Sequence, residues 1–256
     1  MAAPWFFVEA IPPVGAQWPL PREEAKHAAG AKRLSAGDPV VLFDGRGSVA
    51  DGSLGGERLR DGSIPVMTHA VRQVERSLPR VHLATALPKG DRLGTLIDMV
   101  TQLGVASVTP LRCERSVVGD SEARGDRMRR IMVESCKQAR VAWLPTLHAE
   151  RSLDEMLRAP HAGPVVVLHP GGTSLARLLG GERGHPPELT MPELTIPELT
   201  ILVGPEGGFT DREIEACARA NALRASLGES ILRVETAAVV AVATARLSGE
   251  RPACRG

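Results

Sequence analysis

The sequence predicts an α/β protein in two parts: a small β-rich module up to about residue 75, then a layered α/β domain built on a mainly parallel sheet. Three observations carry that prediction. From residue 80 onward, apolar runs alternate with helix-period segments, the pattern of strands joined by crossover helices. Before residue 75 the apolar runs are separated by Gly and Asp turn signals instead. Finally, the run Ile201–Val203 breaks into Gly-Pro-Glu-Gly-Gly-Phe at residues 204–209 and meets a helix start. Three glycines so close together at a strand end leave room for something to approach the backbone.

The elements follow in order along the chain. Residues 21–38 read as a short helix ending near Gly37. Pro39–Phe43 is an apolar strand, Asp44–Gly45 a turn and the stretch through Leu54 a second strand, which makes a small barrel-like module. Arg80–Leu87 is the first strand of the α/β part. Asp91–Gly104 is a helix, with Leu93, Leu96, Ile97 and Val100 at helical spacing and Gly104 as its stop. Val105–Leu111 is a second strand. Asp126–Arg140 is a helix whose stripe runs through Met128, Ile131, Met132, Ser135 and Ala139. Gly163–Pro170 and Leu199–Pro205 are the third and fourth strands. Thr210 and Glu213 form a capping box, so a helix starts there. Leu223–Gly228 is a short fifth strand, and Glu235–Leu247 a closing helix. Residues 187–200 repeat a Pro-Glu-Leu-Thr unit three times. Proline every five residues forbids a continuous helix, so this is an expanded surface loop whose last copy merges into the strand at Ile201.

Composition narrows the function classes. The chain has 256 residues, 43% hydrophobic and 24% charged, the balance of a soluble globular protein. No apolar stretch is long enough to span a bilayer, and the N-terminus has no basic start followed by an apolar segment, so an export signal is not expected. Cys113, Cys136, Cys217 and Cys254 are scattered without a C-x-x-C pair. That argues against a metal site or a disulfide framework and for a reduced, cytoplasmic setting. Net charge is only +1, but residues 112–140 hold eight basic and five acidic side chains. This segment fits a phosphate-contacting surface, and equally a solvated helix face of mixed charge. With no Tyr and 3% aromatics, base stacking on aromatic platforms is not the main recognition device.

The glycine turn at 204–209 is neither a P-loop nor a dinucleotide fingerprint, because neither spacing is present. Ligands in open parallel sheets bind beyond the carboxyl ends of the strands. Two further turns lie at such ends: Val167–Gly172, and Ser226–Leu232 before the closing helix. Together the three can surround one small ligand.

The stretch from Ile201 to Ala243, with its Gly-Pro-Glu-Gly-Gly-Phe and Ile-Leu-Arg-x-Glu-Thr-Ala runs, resembles the C-terminal signature of the RsmE family. Gly90–Val118 resembles the family's central helix–strand segment, and His27–Gly47 its N-terminal barrel. These are uridine-N3 methyltransferases of 16S ribosomal RNA, within the SPOUT superfamily. The resemblance implies a PUA-like β-barrel over residues 1–75 and a SPOUT α/β domain over 76–249. A C-terminal deep trefoil knot cups S-adenosylmethionine in such domains. Residues 185–200 are then an insertion loop and 250–256 a tail. It further implies a homodimer acting on the small ribosomal subunit, with no membrane and no metal.

On that resemblance, Leu168, His169, Gly204, Pro205, Glu206, Gly207, Gly208, Leu227, Gly228, Ile231, Leu232, Thr236 and Ala237 are the expected cofactor-binding residues. Uracil N3 carries a proton near neutral pH, so its methylation needs a base, or a cation that stabilises the resulting negative charge. Arg233 is the candidate cation, with a salt bridge to Glu235 or Glu206 as its alternative role. Glu206 and Glu235 are the candidate bases, and each is equally suited to cap a helix or tie a loop. Lys32, Arg33, Arg112, Arg115 and Arg140 are the expected RNA contacts. The chain departs from the family pattern at Trp5, Gln102, Val141 and Val234. Other readings of the same residues are a SPOUT enzyme acting on transfer RNA or on a ribose 2′-oxygen, and a non-catalytic RNA-binding or ribosome-assembly factor.

Overall fold

The computed structural model describes residues 3–29, 34–56, 58–116, 122–180 and 196–249. It divides into two units, Met1–Arg76 with Val133–Leu144, and Ser77–Met132 with Pro145–Gly256.

In the first unit the elements are β1 (Trp5–Phe7), β2 (Gln17–Leu20), α1 (Arg22–Ala29), β3 (Pro39–Phe43), β4 (Ser48–Leu54) and β5 (Ile64–Gln73). The sheet order is β1-β3-β4-β5-β2. Only β1 and β3 pair in parallel. The β3–β4 hairpin forms where Asp44–Gly45 was expected, with a longer turn. One Asp44 carboxylate oxygen accepts from the backbone N–H of Arg46 at 2.7 Å and of Ser48 at 3.1 Å, so the side chain closes the link. β3 is buried almost throughout because both of its faces pack. Val40 and Leu42 join Phe6, Leu20 and Val66 on one side, and Val41 and Phe43 face Val49 on the other. Phe43 meets Trp5 and Phe7 at 5.5 Å between ring centroids, contacts worth about 0.5–1.5 kcal/mol each beyond area burial. The first helix does not reach Gly37. Residues 34–37 lie outside any helix, and Gly37 adopts φ 85° in a turn.

In the second unit the elements are β6 (Arg80–Thr85), α2 (Asp91–Gln102), β7 (Ser107–Arg112), α3 (Glu122–Ala139), β8 (Thr146–Leu147), β9 (Arg151–Ser152), α4 (Leu153–Arg158), β10 (Val165–Ser174), α5 (Leu175–Leu178), β11 (Glu198–Val203), α6 (Asp211–Arg219), β12 (Leu223–Ser226) and α7 (Val234–Gly249). The strand order is β12-β10-β11-β6-β7-β8, with β9 beside β7, and every pair is parallel. All five strands read from the sequence are present. β11 is buried from Leu199 to Val203 and apolar there except for Thr200, as suits a strand covered on both faces. The short β8, β9, α4 and α5 carry too few residues for periodicity to reveal them.

The last copy of the Pro-Glu-Leu-Thr repeat does enter β11. Glu198 pairs with Arg80, its register partner on β6, at 2.6 Å, and also lies 3.3 Å from His82, the register partner of Thr200. Residues 181–195, with the rest of the repeat, lie outside the described residues, as does the tail beyond 249.

Helix α2 buries Leu93, Leu96, Ile97 and Val100 as its spacing predicts, each worth about 1.5–3 kcal/mol of burial, and it packs against α7. The α3 stripe differs from expectation. Met128, Met132, Ser135 and Cys136 are buried, whereas Ala139 is exposed. The helix is shared: residues 133–144, placed by the sequence division in the second domain, pack with the first unit. There Cys136 and Ala142 join Val41 and Phe43, and Lys137 donates to Glu24 at 2.8 Å.

Candidate active site

Three turns leave the carboxyl ends of β10, β11 and β12, and they converge because these strands are parallel neighbours. The first is an excursion inside β10. Leu168 and Thr173 both sit opposite Ala225 of β12, so residues 169–172 loop out between them. The sequence predicted the strand to end at Pro170; it resumes through Ser174. His169 Nδ1 accepts from the backbone N–H of Gly171 at 3.1 Å, which holds the loop.

The second turn carries the Gly-Pro-Glu-Gly-Gly-Phe run. A Cβ on Gly204 would sit 2.9 Å from the ring of Phe209, closer than carbon atoms pack, so the ring takes the space a side chain would need. Gly208 donates to the carbonyl of Pro205 at 2.8 Å and adopts φ 69°. The predicted capping box then starts α6. Thr210 Oγ1 accepts from the Glu213 N–H at 3.2 Å, and Glu213 Oε2 accepts from the Thr210 N–H at 2.8 Å. The other Glu213 oxygen accepts from the N–H of Glu114, just past β7, at 2.9 Å. One buried carboxylate thus fastens the end of the glycine turn to the segment that follows β7, two strands away in the sheet.

The third turn runs from Leu227 to Arg233, passes Gly228 at φ 117° and opens α7, whose Ala237 N–H reaches the Arg233 carbonyl at 2.8 Å.

One cleft lies among the three turns. Its walls include Leu168, His169, Gly204, Pro205, Glu206, Gly208, Leu227, Gly228, Ile231, Leu232 and Ala237, all singled out from the sequence. Two expected residues are elsewhere. The carbonyl of Gly207 accepts from Arg115 Nη1 at 2.6 Å, and Thr236 is exposed on α7 away from the wall. Phe209, Ser226 and Ser230 also line the cleft; they stand inside the same motifs and were legible as neighbours. The space, mouth included, is about 730 Å³. Ile231 stands at the wall with 91% of its surface exposed, an apolar side chain with nothing from this chain over it.

The charged candidates separate. Arg233 is exposed, off the cleft wall and, among the described residues, without an ion pair. Glu206 and Glu235 both face Arg92, at 3.1 Å and 3.9 Å. Arg92 sits at the start of α2, inside the Gly90–Val118 segment but outside the expected site residues. Both partners are more than a hundred residues away in sequence, so no local signal points to it. Glu235 is the more enclosed of the two, and one of its oxygens is buried without a hydrogen-bond donor.

Of the expected RNA contacts, Arg112 pairs with Glu150 at 3.5 Å and Arg115 holds the Gly207 carbonyl, both in the second unit. Arg140 is exposed in the first unit at φ 57°. Lys32 and Arg33 lie outside the described residues.

Residues 75–246 match the family model described as the RNA methyltransferase domain. Ribosomal RNA small subunit methyltransferase E of Synechocystis is 33% identical over 214 residues, covering 82% of this chain and 66% of the relative. The chain belongs to the RsmE family of RNA methyltransferases. The Mycobacterium bovis protein of the same name is 28% identical over 94% of this chain and 90% of its own length. A methyltransferase from Legionella pneumophila, solved with the cofactor SAM bound, superposes with a TM-score of 0.82 at 26% identity, covering 97% of this chain and 98% of that one.

In this RsmE-family chain the matched region contains every wall of the cleft. Among the described residues the thiols Cys113, Cys136 and Cys217 are not part of its wall. Burial pushes Cys113 and Cys136 up to about 12 and Cys217 up to about 11, with Glu213 adding to the rise at Cys113 and Cys217. Neutral, enclosed thiols are poor nucleophiles. Among the described residues no cluster of His, Cys, Asp and Glu is suited to hold a metal ion, and no helix is long and apolar enough to cross a membrane.

Proposed function

We propose that this chain methylates N3 of a uridine in the 16S ribosomal RNA of the small subunit, using S-adenosylmethionine. The observation that carries the reading is the single cleft made by three glycine-bearing turns at adjacent strand ends. The donor fits it on two counts. Gly204 brings backbone, not side chain, to the wall, and a Cβ there would drive into Phe209. The walls are largely apolar, with Leu168, Leu227 and Leu232 placed to pack an adenine and backbone groups of the turns free to read its polar edge. When bound, the donor supplies an electrophilic methyl group on a sulfonium.

The chain's own residues do the rest. Pro205 and Glu206 hold the rim, and Arg92 fixes the Glu206 carboxylate, so Glu206 is positioned to accept the N3 proton as the uridine docks. Arg233, exposed one residue beyond Leu232, neutralises the charge that spreads from N3 to the two carbonyl oxygens. Glu235, on the other side of Arg92, keeps the guanidinium in place. The turns themselves are threaded as a deep trefoil knot in this reading, with the first unit as a PUA-like barrel that grips RNA. A second copy covers the exposed Ile231, so the working form is a cytoplasmic homodimer.

The test is transfer of labelled methyl from S-adenosylmethionine to small subunits from a strain lacking this gene, followed by nucleoside mass spectrometry. N3-methyluridine is the expected product. A methylated ribose, a methylated transfer RNA or no transfer at all would each refute the assignment. Arg233→Ala is expected to bind the donor normally and lose transfer; unchanged transfer removes Arg233 from the mechanism.

A further inference from the structure

A second cleft adjoins the first. It opens at the carboxyl ends of β6, β7 and β11, and Pro205 and Glu206 line both clefts, so only this short piece of loop separates them. Its character is different. Four basic side chains line it, Lys89, Arg92, Arg112 and Arg124, against two carboxylates, Glu150 and Glu206. The carboxylates are already engaged: Glu206 faces Arg92 at 3.1 Å and Glu150 faces Arg112 at 3.5 Å. Among the described residues, Lys89 and Arg124 have no ion-pair partner. Two uncompensated cations therefore look onto one concave space, which is an environment for an anion.

We propose that this cleft receives the acceptor nucleotide, with Lys89 and Arg124 binding its phosphate and Arg92 positioning Glu206 between acceptor and donor. The inference rests on the methyltransferase reading above and assigns Lys89 and Arg124, which that reading does not use. Geometry favours it. Methyl transfer requires donor and acceptor atoms within about 3–3.5 Å at the moment of reaction, so the acceptor site must share a wall with the donor cleft. The wall formed by Pro205 and Glu206 meets that requirement. The donor cleft, with its leucine walls, offers no cation to a phosphate. The second offers two, and a phosphate there displaces no existing ion pair.

The experiment uses the full chain saturated with S-adenosylhomocysteine, and pUpUpU as the probe, followed by NMR chemical-shift mapping and titration over a range of salt. The expected result is perturbation centred on Lys89, Arg92 and Arg124. The double variant Lys89→Ala/Arg124→Ala should weaken binding at least about tenfold. Its salt slope should fall by about 0.7, because the two cations together neutralise one single-strand phosphate. S-adenosylhomocysteine affinity should stay unchanged in that variant, which shows that the donor cleft and the fold are intact. No binding of pUpUpU, or equal binding by the double variant, overturns the proposal. So does inorganic phosphate competing as well as the trinucleotide, because the pocket would then read phosphate without a nucleotide. Methyl transfer by the parent protein alongside any of these results leaves the enzyme assignment standing and removes only this site. Absence of both donor binding and transfer in the parent refutes the enzyme assignment itself.

Discussion

Replacing Glu213 should damage stability and donor binding together, because one carboxylate serves both. Its side chain is 6% exposed. It accepts three hydrogen bonds, from the N–H of Glu114 at 2.9 Å, the N–H of Thr210 at 2.8 Å and the hydroxyl of Thr210 at 3.3 Å. The two short bonds are to a charged acceptor, and such bonds contribute about 1.5–3 kcal/mol each. Glu213→Ala leaves two backbone donors facing a hole, so the expected loss is about 3–5 kcal/mol, after allowing for relief from burying a charge. Glu213→Gln keeps one acceptor oxygen but turns its amide N–H toward the other donor, so its loss is smaller, about 2 kcal/mol. Urea unfolding followed by far-UV circular dichroism measures both. Thr210 ends the glycine turn, so loosening its cap lowers the fraction of chain with a formed cleft. The apparent dissociation constant for S-adenosylmethionine rises as the inverse of that fraction, and calorimetry reads it. A Glu213→Ala protein within 1 kcal/mol (~RT ln 5) of the parent would refute the buried-cap argument. Lost stability with unchanged donor affinity would refute the link from cap to cleft.

Gly204→Ala places a methyl group 2.9 Å from the Phe209 ring. The ring is 7% exposed and has little room to retreat except into the cleft, so the variant should lose about 1–3 kcal/mol and bind donor more weakly, both visible by thermal shift with and without S-adenosylmethionine. In a Cys254→Ser background, Cys113, Cys136 and Cys217 should react with a thiol reagent at pH 8 only as fast as the protein unfolds. Their folded values stand at about 11 to 12 against an ordinary 9.0. The sign follows from linkage: the folded state keeps its protons, so this contribution is whole below pH 9 and declines as pH rises above it. Rapid labelling of the native protein would contradict the burial.

How much of this was legible in the sequence can be judged element by element. Period and punctuation revealed α2, β6, β7, β10, β11, β12, the α6 cap and α7, because each states its own boundaries locally. The glycine turns were legible for the same reason, since a residue with no side chain marks close backbone approach wherever it stands. They also fixed most of the cleft wall in advance, through motifs that the family shares. What tertiary structure decided was pairing between distant segments. Arg92 meets Glu206 and Glu235, Glu213 meets the backbone of Glu114, and Glu198 of the repeat meets Arg80. No periodicity encodes such contacts. The contacts of Arg92 and Glu213 depend on parallel strands bringing their carboxyl ends to one edge, and that of Glu198 on the amino ends of β6 and β11 lying in register, so that residues a hundred positions apart become neighbours. The same physics gave residues 133–144 to the first unit and exposed Ala139: packing partners, not helical spacing, choose which face of a helix is buried. The sequence alone determined the elements and the chemistry of the donor turns. The fold alone determined which charges they face, and so placed a second, cationic cleft against the first.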